Sequence, residues 1–219
     1  MKSERIVCFD LGGVIVRICR SWEEGCRRAG VEVRDHERFM HEDRRAAREN
    51  HTDRHQRGHL AIEDYCAAIA HASDAIYEPY EVERVHRAWL IDEYHGVADL
   101  IDQLNSTPDI RTACLSNTNE AHWNQMLGDD PRGPIIPALA KITHRVASHH
   151  AQMLKPNEDF YRHFEQSLAA PPESIIFFDD LEENIAAARS IGWTAHQIDH
   201  TRDTAAQMRY HLTRWGLNL

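Results

Sequence analysis

No stretch of the 219-residue chain approaches the ~20 consecutive apolar residues that a membrane-spanning helix needs, so no membrane partner is expected. Positive charge is in short supply as well. With 25 Lys and Arg against 35 Asp and Glu, the net charge is −10 and the pI about 5.9. That balance argues against general nucleic-acid binding, because neutralising phosphates requires a basic face. There is no C-x-x-C pair: Cys8, Cys19, Cys26, Cys66 and Cys114 are odd in number, and Cys8 and Cys114 lie inside apolar runs, which points to buried reduced thiols. Internal repeats and low-complexity linkers are absent. The start, MKSERIVCFD, enters a strand-like run without a small-residue cleavage site, so the expectation is no signal peptide and a cytoplasmic location.

What is present is an ordinary globular mixture, 42% hydrophobic and 27% charged, of a length that suits one large domain or a domain with an insertion. Short apolar runs, RIVCFDL, IRTACLS, ITHRVAS, SIIFFDD and TAHQI, alternate with helical patterns at 97–104, 158–168, 183–191 and 201–215. Continuous apolar runs bounded by turn residues are what strands covered on both faces look like, so the fold class is α/β: a Rossmann-like, three-layer core with a parallel sheet. Residues 18–94 break the alternation. They carry helix-period apolar residues and almost no strand-like run, which predicts an all-helical insertion after the first strand, with residues 1–17 and 95–219 forming the core.

In open parallel sheets, ligands bind at the carboxyl ends of the strands. The runs here end on Asp10, on Ser116 and Asn117, and on Asp179 and Asp180, while a loop in MLKPNEDFY delivers Lys155. Alone, an Asp-Asp pair is ordinarily a solvated turn and a Lys-Pro a loop; in order at strand ends they converge on one pocket. Like charges about 4 Å apart repel by roughly 4 kcal/mol at an effective dielectric of 20, so three aspartates require cations. Lys155 supplies one charge. Because every candidate ligand is a hard oxygen donor, the remainder calls for Mg²⁺. Such a site attracts a phosphate dianion, and Asp10 held there can attack phosphorus. Gly12 and Gly13 allow a sharp turn that lets a backbone carbonyl and amides face the metal and the phosphoryl group.

FDLGGVIV, CLSNTN, LKPNEDFY and IIFFDDLEENIAAARSIGW, in this order, resemble the four motifs of the haloacid dehalogenase (HAD) superfamily. More narrowly they are similar to its capped phosphatase branch, which holds α-glucose-1-phosphate phosphatase and the N-terminal phosphatase of soluble epoxide hydrolase. The resemblance implies Asp10 as nucleophile and metal ligand, the Gly12 carbonyl and Asp180 as further ligands, and Asp179 as a direct or water-mediated one. It implies Ser116 and Asn117 as phosphoryl contacts, Lys155 as the residue orienting Asp10, and a cap that selects a small phosphorylated substrate. Two departures stand out. Gly12 replaces the aspartate that usually acts as acid and base, although the glucose-phosphate branch also has Gly there, and Gln152 stands where the family often has Gly.

Histidine is over-represented at 16, with His36, His41, His51, His55 and His59 in one polar segment. His51, His55 and His59 share a helix face if the segment is helical, yet no carboxylate completes a metal signature, so a solvated face is expected. The second reading turns this face to the pocket, where Arg54, His55 or Arg57 would touch substrate and a histidine would supply the proton that Gly12 cannot. Asn184 is expected to support the acidic loop. Two rivals to a phosphatase stand: a metal-independent 2-haloacid dehalogenase, and a phospho-ligand binder without turnover.

Overall fold

The structure, a computed structural model, describes residues 4–217; residues 1–3 and 218–219 of the expected core segments lie outside it. In chain order the strands are β1 (Arg5–Phe9), β2 (Val16–Ile18), β3 (Leu90–Glu93), β4 (Ile110–Ser116), β5 (His144–Ala147), β6 (Ile175–Asp179) and β7 (Thr194–Gln197). The helices begin with α1 (Trp22–Ala29), α2 (His36–Met40), α3 (Glu42–Gln56), α4 (Ile62–Ala72), α5 (Pro79–Arg87) and α6 (Val97–Asn105). They continue with α7 (Glu120–Leu127), α8 (Pro137–Lys141), α9 (Ser148–Ala151), α10 (Glu158–Leu168), α11 (Glu182–Ser190) and α12 (Thr204–Arg214). No described helix is long and apolar enough to cross a membrane.

Five strands form one parallel sheet in the order β5-β4-β1-β6-β7. The apolar runs are continuous because both faces are covered: Val7 and Phe9 of β1 join Ile176 and Phe178 of β6 in one core cluster with α6 and α12, whereas Ile6, Cys8, Ile175 and Phe177 join α10 and α11 in the other. Helix α10 shows how the pattern works. Its Phe160, Tyr161, Phe164 and Leu168 recur at helical spacing and are buried, each stabilising the fold by about 1.5–3 kcal/mol, while Asn157 caps the start by accepting from the Asp159 amide. All five cysteines are buried and free.

Helices α1 to α5 pack around a separate cluster that includes Cys26, Phe39, Ile69, Tyr77 and Val85. The chain enters and leaves this helical unit through β2 and β3, an antiparallel ribbon with Val16 opposite Glu93 and a bulge at Arg17 and Ile18. This ribbon corrects the expectation of a segment almost free of strand: VRI and LIDE are too short to show a period of two. The unit also docks on the core at the end of α3, where the Ser148 hydroxyl donates to the Gln56 carbonyl (2.6 Å) and Arg57 donates to the Gln152 carbonyl (3.1 Å). Gln152 sits at φ +59°, the left-handed region, which is the backbone reason a glycine suits that position.

A second junction is a stack of imidazoles. His86 of α5 lies 3.9 Å from His122 of α7, whose Nε2–H donates to the His86 carbonyl (2.8 Å) while its Nδ1 accepts from Asn119. Burial holds His86 well below the usual histidine range and pushes His122 down to about 4. The unfolded chain therefore takes up a proton at His122 near pH 6.5 that the folded one refuses until about pH 4, and His86 resists protonation in the same direction. The stability contributed by neutral His122 is complete above pH 6.5 and is lost as pH falls toward 4, by about 3 kcal/mol. Denaturant unfolding at pH 7 and pH 4.5 checks this. The drop must be smaller in His122→Phe; an equal drop in both proteins would refute it.

Candidate functional site

Every charged group expected at the strand ends is brought to one place. The Asp10 amide donates to the Phe178 carbonyl (2.8 Å), so the pairing of β1 with β6 extends one residue and sets the direction of the carboxylate. Asp179 ends β6 and is fully buried; Asp180 follows it. Lys155 is drawn inward by Asn117, which accepts from the lysine's amide and donates to its carbonyl, each at 2.9 Å. The ammonium then reaches Asp10 at 2.8 Å and Asp179 at 2.6 Å.

Oxygens of Asp10, Asp179 and Asp180 lie within 4.8 Å of one another, the one such cluster of His, Cys, Asp and Glu among the described residues. Burial pushes the Asp10 carboxyl up to about 6, against the opposing pull of Lys155. Burial alone would lower the Lys155 ammonium, but the Asp10 and Asp179 carboxylates outweigh it and hold the lysine charged. Asp179 is saturated: besides Lys155 it accepts from the Leu181 amide (2.9 Å) and from Asn184 at 3.1 and 3.0 Å. Asn184 therefore supports the acidic loop directly.

Asp10 is 8% exposed, a recessed carboxylate. The helix after β4 is capped by Asn119, which accepts from the His122 amide. Asn117, expected to contact the phosphoryl group, has its side chain engaged with the lysine backbone. One participant was missed altogether: Arg20, just beyond β2, donates to Asp180 at 2.7 Å. Nothing in the sequence marks it, since only the return of the ribbon carries it to the end of β6.

Gly12 and Gly13 differ. Gly13 has φ +81°, and a Cβ there would overlap Asp180 Oδ2 and Arg20 Nη2; Gly12 has an ordinary backbone, and a Cβ would meet only the flexible Cδ1 of Ile18 at 3.1 Å. Gly13→Ala should cost at least about 1–2 kcal/mol from the left-handed backbone alone, Gly12→Ala well under that. Thermal unfolding of the two variants compares them, and equal losses would contradict the geometry.

A cavity of about 580 Å³ lies between the helical unit and the strand ends. Its floor is Leu11, Gly12 and Ser116 to Asn119; its walls include Trp22, Phe39, Tyr65 and Trp89. Helix α3 offers Arg45, Arg48, Glu49, Thr52, His55 and Gln56, a stripe at three- and four-residue spacing. Arg54 is exposed and outside these walls, because one residue along a helix rotates a side chain by about 100° from His55. His55 is buried, stacked 4.4 Å from Tyr65, with Nδ1 against the Leu60 carbonyl at 2.8 Å. Burial holds its imidazole below the ordinary range. A carbonyl can only accept, so the proton sits on Nδ1 and the other nitrogen offers a lone pair. This corrects the expectation of a solvated histidine face; His59, moreover, lies past the end of α3.

The chain matches the haloacid dehalogenase-like hydrolase family over residues 4–192. Similar solved structures include a HAD family enzyme from Bacteroides thetaiotaomicron in complex with magnesium and inorganic phosphate, at 18% identity and a TM-score of 0.71, covering 94% of this chain and 99% of that one. A predicted HAD-like family hydrolase from Porphyromonas gingivalis aligns at 24% identity and a TM-score of 0.74, covering 95% and 97%. L-2-haloacid dehalogenase from Xanthobacter autotrophicus aligns at 14% identity and a TM-score of 0.61, covering 98% and 84%. These identities speak for a shared fold. The family match runs through the ends of β1, β4 and β6 and through the lysine loop, the segments that hold the acidic cluster, and the chain belongs to the haloacid dehalogenase-like hydrolases.

Proposed function

We propose that the protein is a Mg²⁺-dependent phosphatase acting on a small phosphomonoester through an Asp10-phosphate. The observation that carries this reading is the cluster of Asp10, Asp179 and Asp180: three carboxylates against two cations, Lys155 and Arg20, leave one negative charge too many for an anionic substrate. A dehalogenase has no use for the surplus. The donor set fits Mg²⁺, being all oxygen and including carboxylate oxygens of Asp10 and Asp180 and the Gly12 carbonyl. When bound, the ion supplies positive charge that draws the phosphoryl group in and offsets charge developing on it. The similar structure that holds magnesium and inorganic phosphate agrees with this reading.

Lys155 keeps Asp10 ionised and aimed, and Asp179 with Asn184 keeps Lys155 in place. An Asp10 oxygen then bonds to phosphorus as the ester oxygen leaves, and water afterwards releases phosphate. Ser116 and Gly12 line the cavity beside Asp10, whereas the Gly13 amide donates to the Val16 carbonyl (2.8 Å) and, contrary to the expectation for the glycine turn, is not free for the transferred group. Gly12 provides no acid, and His55 offers a lone pair rather than a proton. The substrate is therefore one whose leaving oxygen needs little protonation, such as an anomeric or aryl phosphate.

Phosphate release from a panel of phosphomonoesters, sugar 1-phosphates included, tests the reading. Release is expected with Mg²⁺ and not with EDTA. Chloride release from 2-chloropropionate without metal would establish the dehalogenase instead, and ligand binding without any release would establish the binder.

A further inference from the structure

Arg48 of α3 has only 8% of its surface exposed and lines the cavity, and its Nη1 is buried with no hydrogen-bond partner. Its guanidinium lies 4.2 Å over the ring of Phe39, which orients it without neutralising it. Among the described residues no carboxylate pairs with it, and its neighbour Glu49 is engaged by Arg45 at 2.7 Å. Arg34 behaves otherwise, making a two-pronged pair with Glu81 at 2.8 and 2.6 Å. A guanidinium carries five donors and stays charged, so burying one unpaired is unfavourable unless something arrives to meet it.

The same cavity runs from Gly12 and Ser116, beside the acidic cluster, to this guanidinium, and apolar rings wall the space between. We propose that the substrate carries a second anionic group, a carboxylate or a second phosphate, at the end remote from the transferred phosphoryl group, and that Arg48 binds it. This assignment rests on the phosphatase reading and narrows its substrate class. The middle of such a molecule is apolar or aromatic, to suit Phe39 and Trp89.

Non-hydrolysable phosphonates test it by calorimetric titration with Mg²⁺ present. Three series of matched lengths are compared: alkyl phosphonates, ω-phosphonocarboxylates and α,ω-bisphosphonates. At the length that spans the cavity, one of the two series with a second anionic group binds the native protein at least about tenfold more tightly than its alkyl match, and which series does so identifies the anion. In Arg48→Met that ratio falls to near one. Arg48→Lys, which keeps the charge without the planar fork, gives an intermediate ratio and serves if the methionine variant does not fold. A ratio near one in the native protein, or a ratio unaltered in the variants, overturns the assignment while leaving the phosphatase standing. Failure of all three series to bind overturns both.

Discussion

Replacing Lys155 with methionine is expected to destabilise the fold by about 3–5 kcal/mol near neutral pH, the range for removing one partner from a buried ionic network. Among the described residues the ammonium is the one cation paired with Asp10 and Asp179, at 2.8 and 2.6 Å, and both carboxylates are buried. Without it Asp179 keeps the Asn184 and Leu181 donors, but Asp10 loses its ion-pair partner, because the remaining cation, Arg20, is engaged by Asp180. Part of the loss should return in Lys155→Met/Asp10→Asn, where the uncompensated charge is gone, so the double-mutant cycle reports a large coupling energy. Acid should narrow the difference, because Asp10, already pushed up to about 6 by burial, moves higher without the lysine and sheds its charge by protonation. Denaturant unfolding of the native, single and double variants measures all of this. A loss under about 1 kcal/mol for Lys155→Met would show that the buried triad is not the electrostatic unit described here.

The second large effect is on rate. Asp10→Asn should reduce phosphate release by a factor on the order of 10⁴ or more, as removal of a nucleophile does, with the fold retained. The amide keeps an oxygen toward Lys155, and the β1 backbone bond to Phe178 is untouched. Single-turnover kinetics on the best ester of the panel, with circular dichroism to confirm folding, gives the comparison. Activity within tenfold of native would remove Asp10 from the covalent step and leave it a metal-holding role only. Mg²⁺ dependence separates phosphatase from dehalogenase independently, since both chemistries rely on the same aspartate.

How far the chain could be read without its structure depends on how local the signal is. The five sheet strands were visible because both faces of each are covered, so apolar residues run on without alternation and stop abruptly at Asp10, Ser116 and Asp179. The terminal carboxylates and Lys155 were legible for the same reason: charge placed at the end of a buried strand has few local explanations. Gln152, noted as a departure, proves to occupy a left-handed turn. The β2–β3 ribbon was invisible, being three and four residues long. The histidine segment was misread because its burial is imposed from outside: α4 and α5 set Tyr65 and His86 against His55, and no pattern within residues 51–59 announces that.

By itself, then, the sequence determined the α/β core, the order of the acidic and basic groups along it, and the absence of a side-chain acid at Gly12. These follow from the periodicity of elements and from residue identity, both of which are local. Only the tertiary structure decided that Arg20 meets Asp180, that Asn117 clamps Lys155, that Arg54 turns away and that Arg48 faces the cavity unpaired. Each depends on which way a side chain points once elements far apart in the chain are packed, and a rotation of 100° or a bulge in a short ribbon is enough to change it.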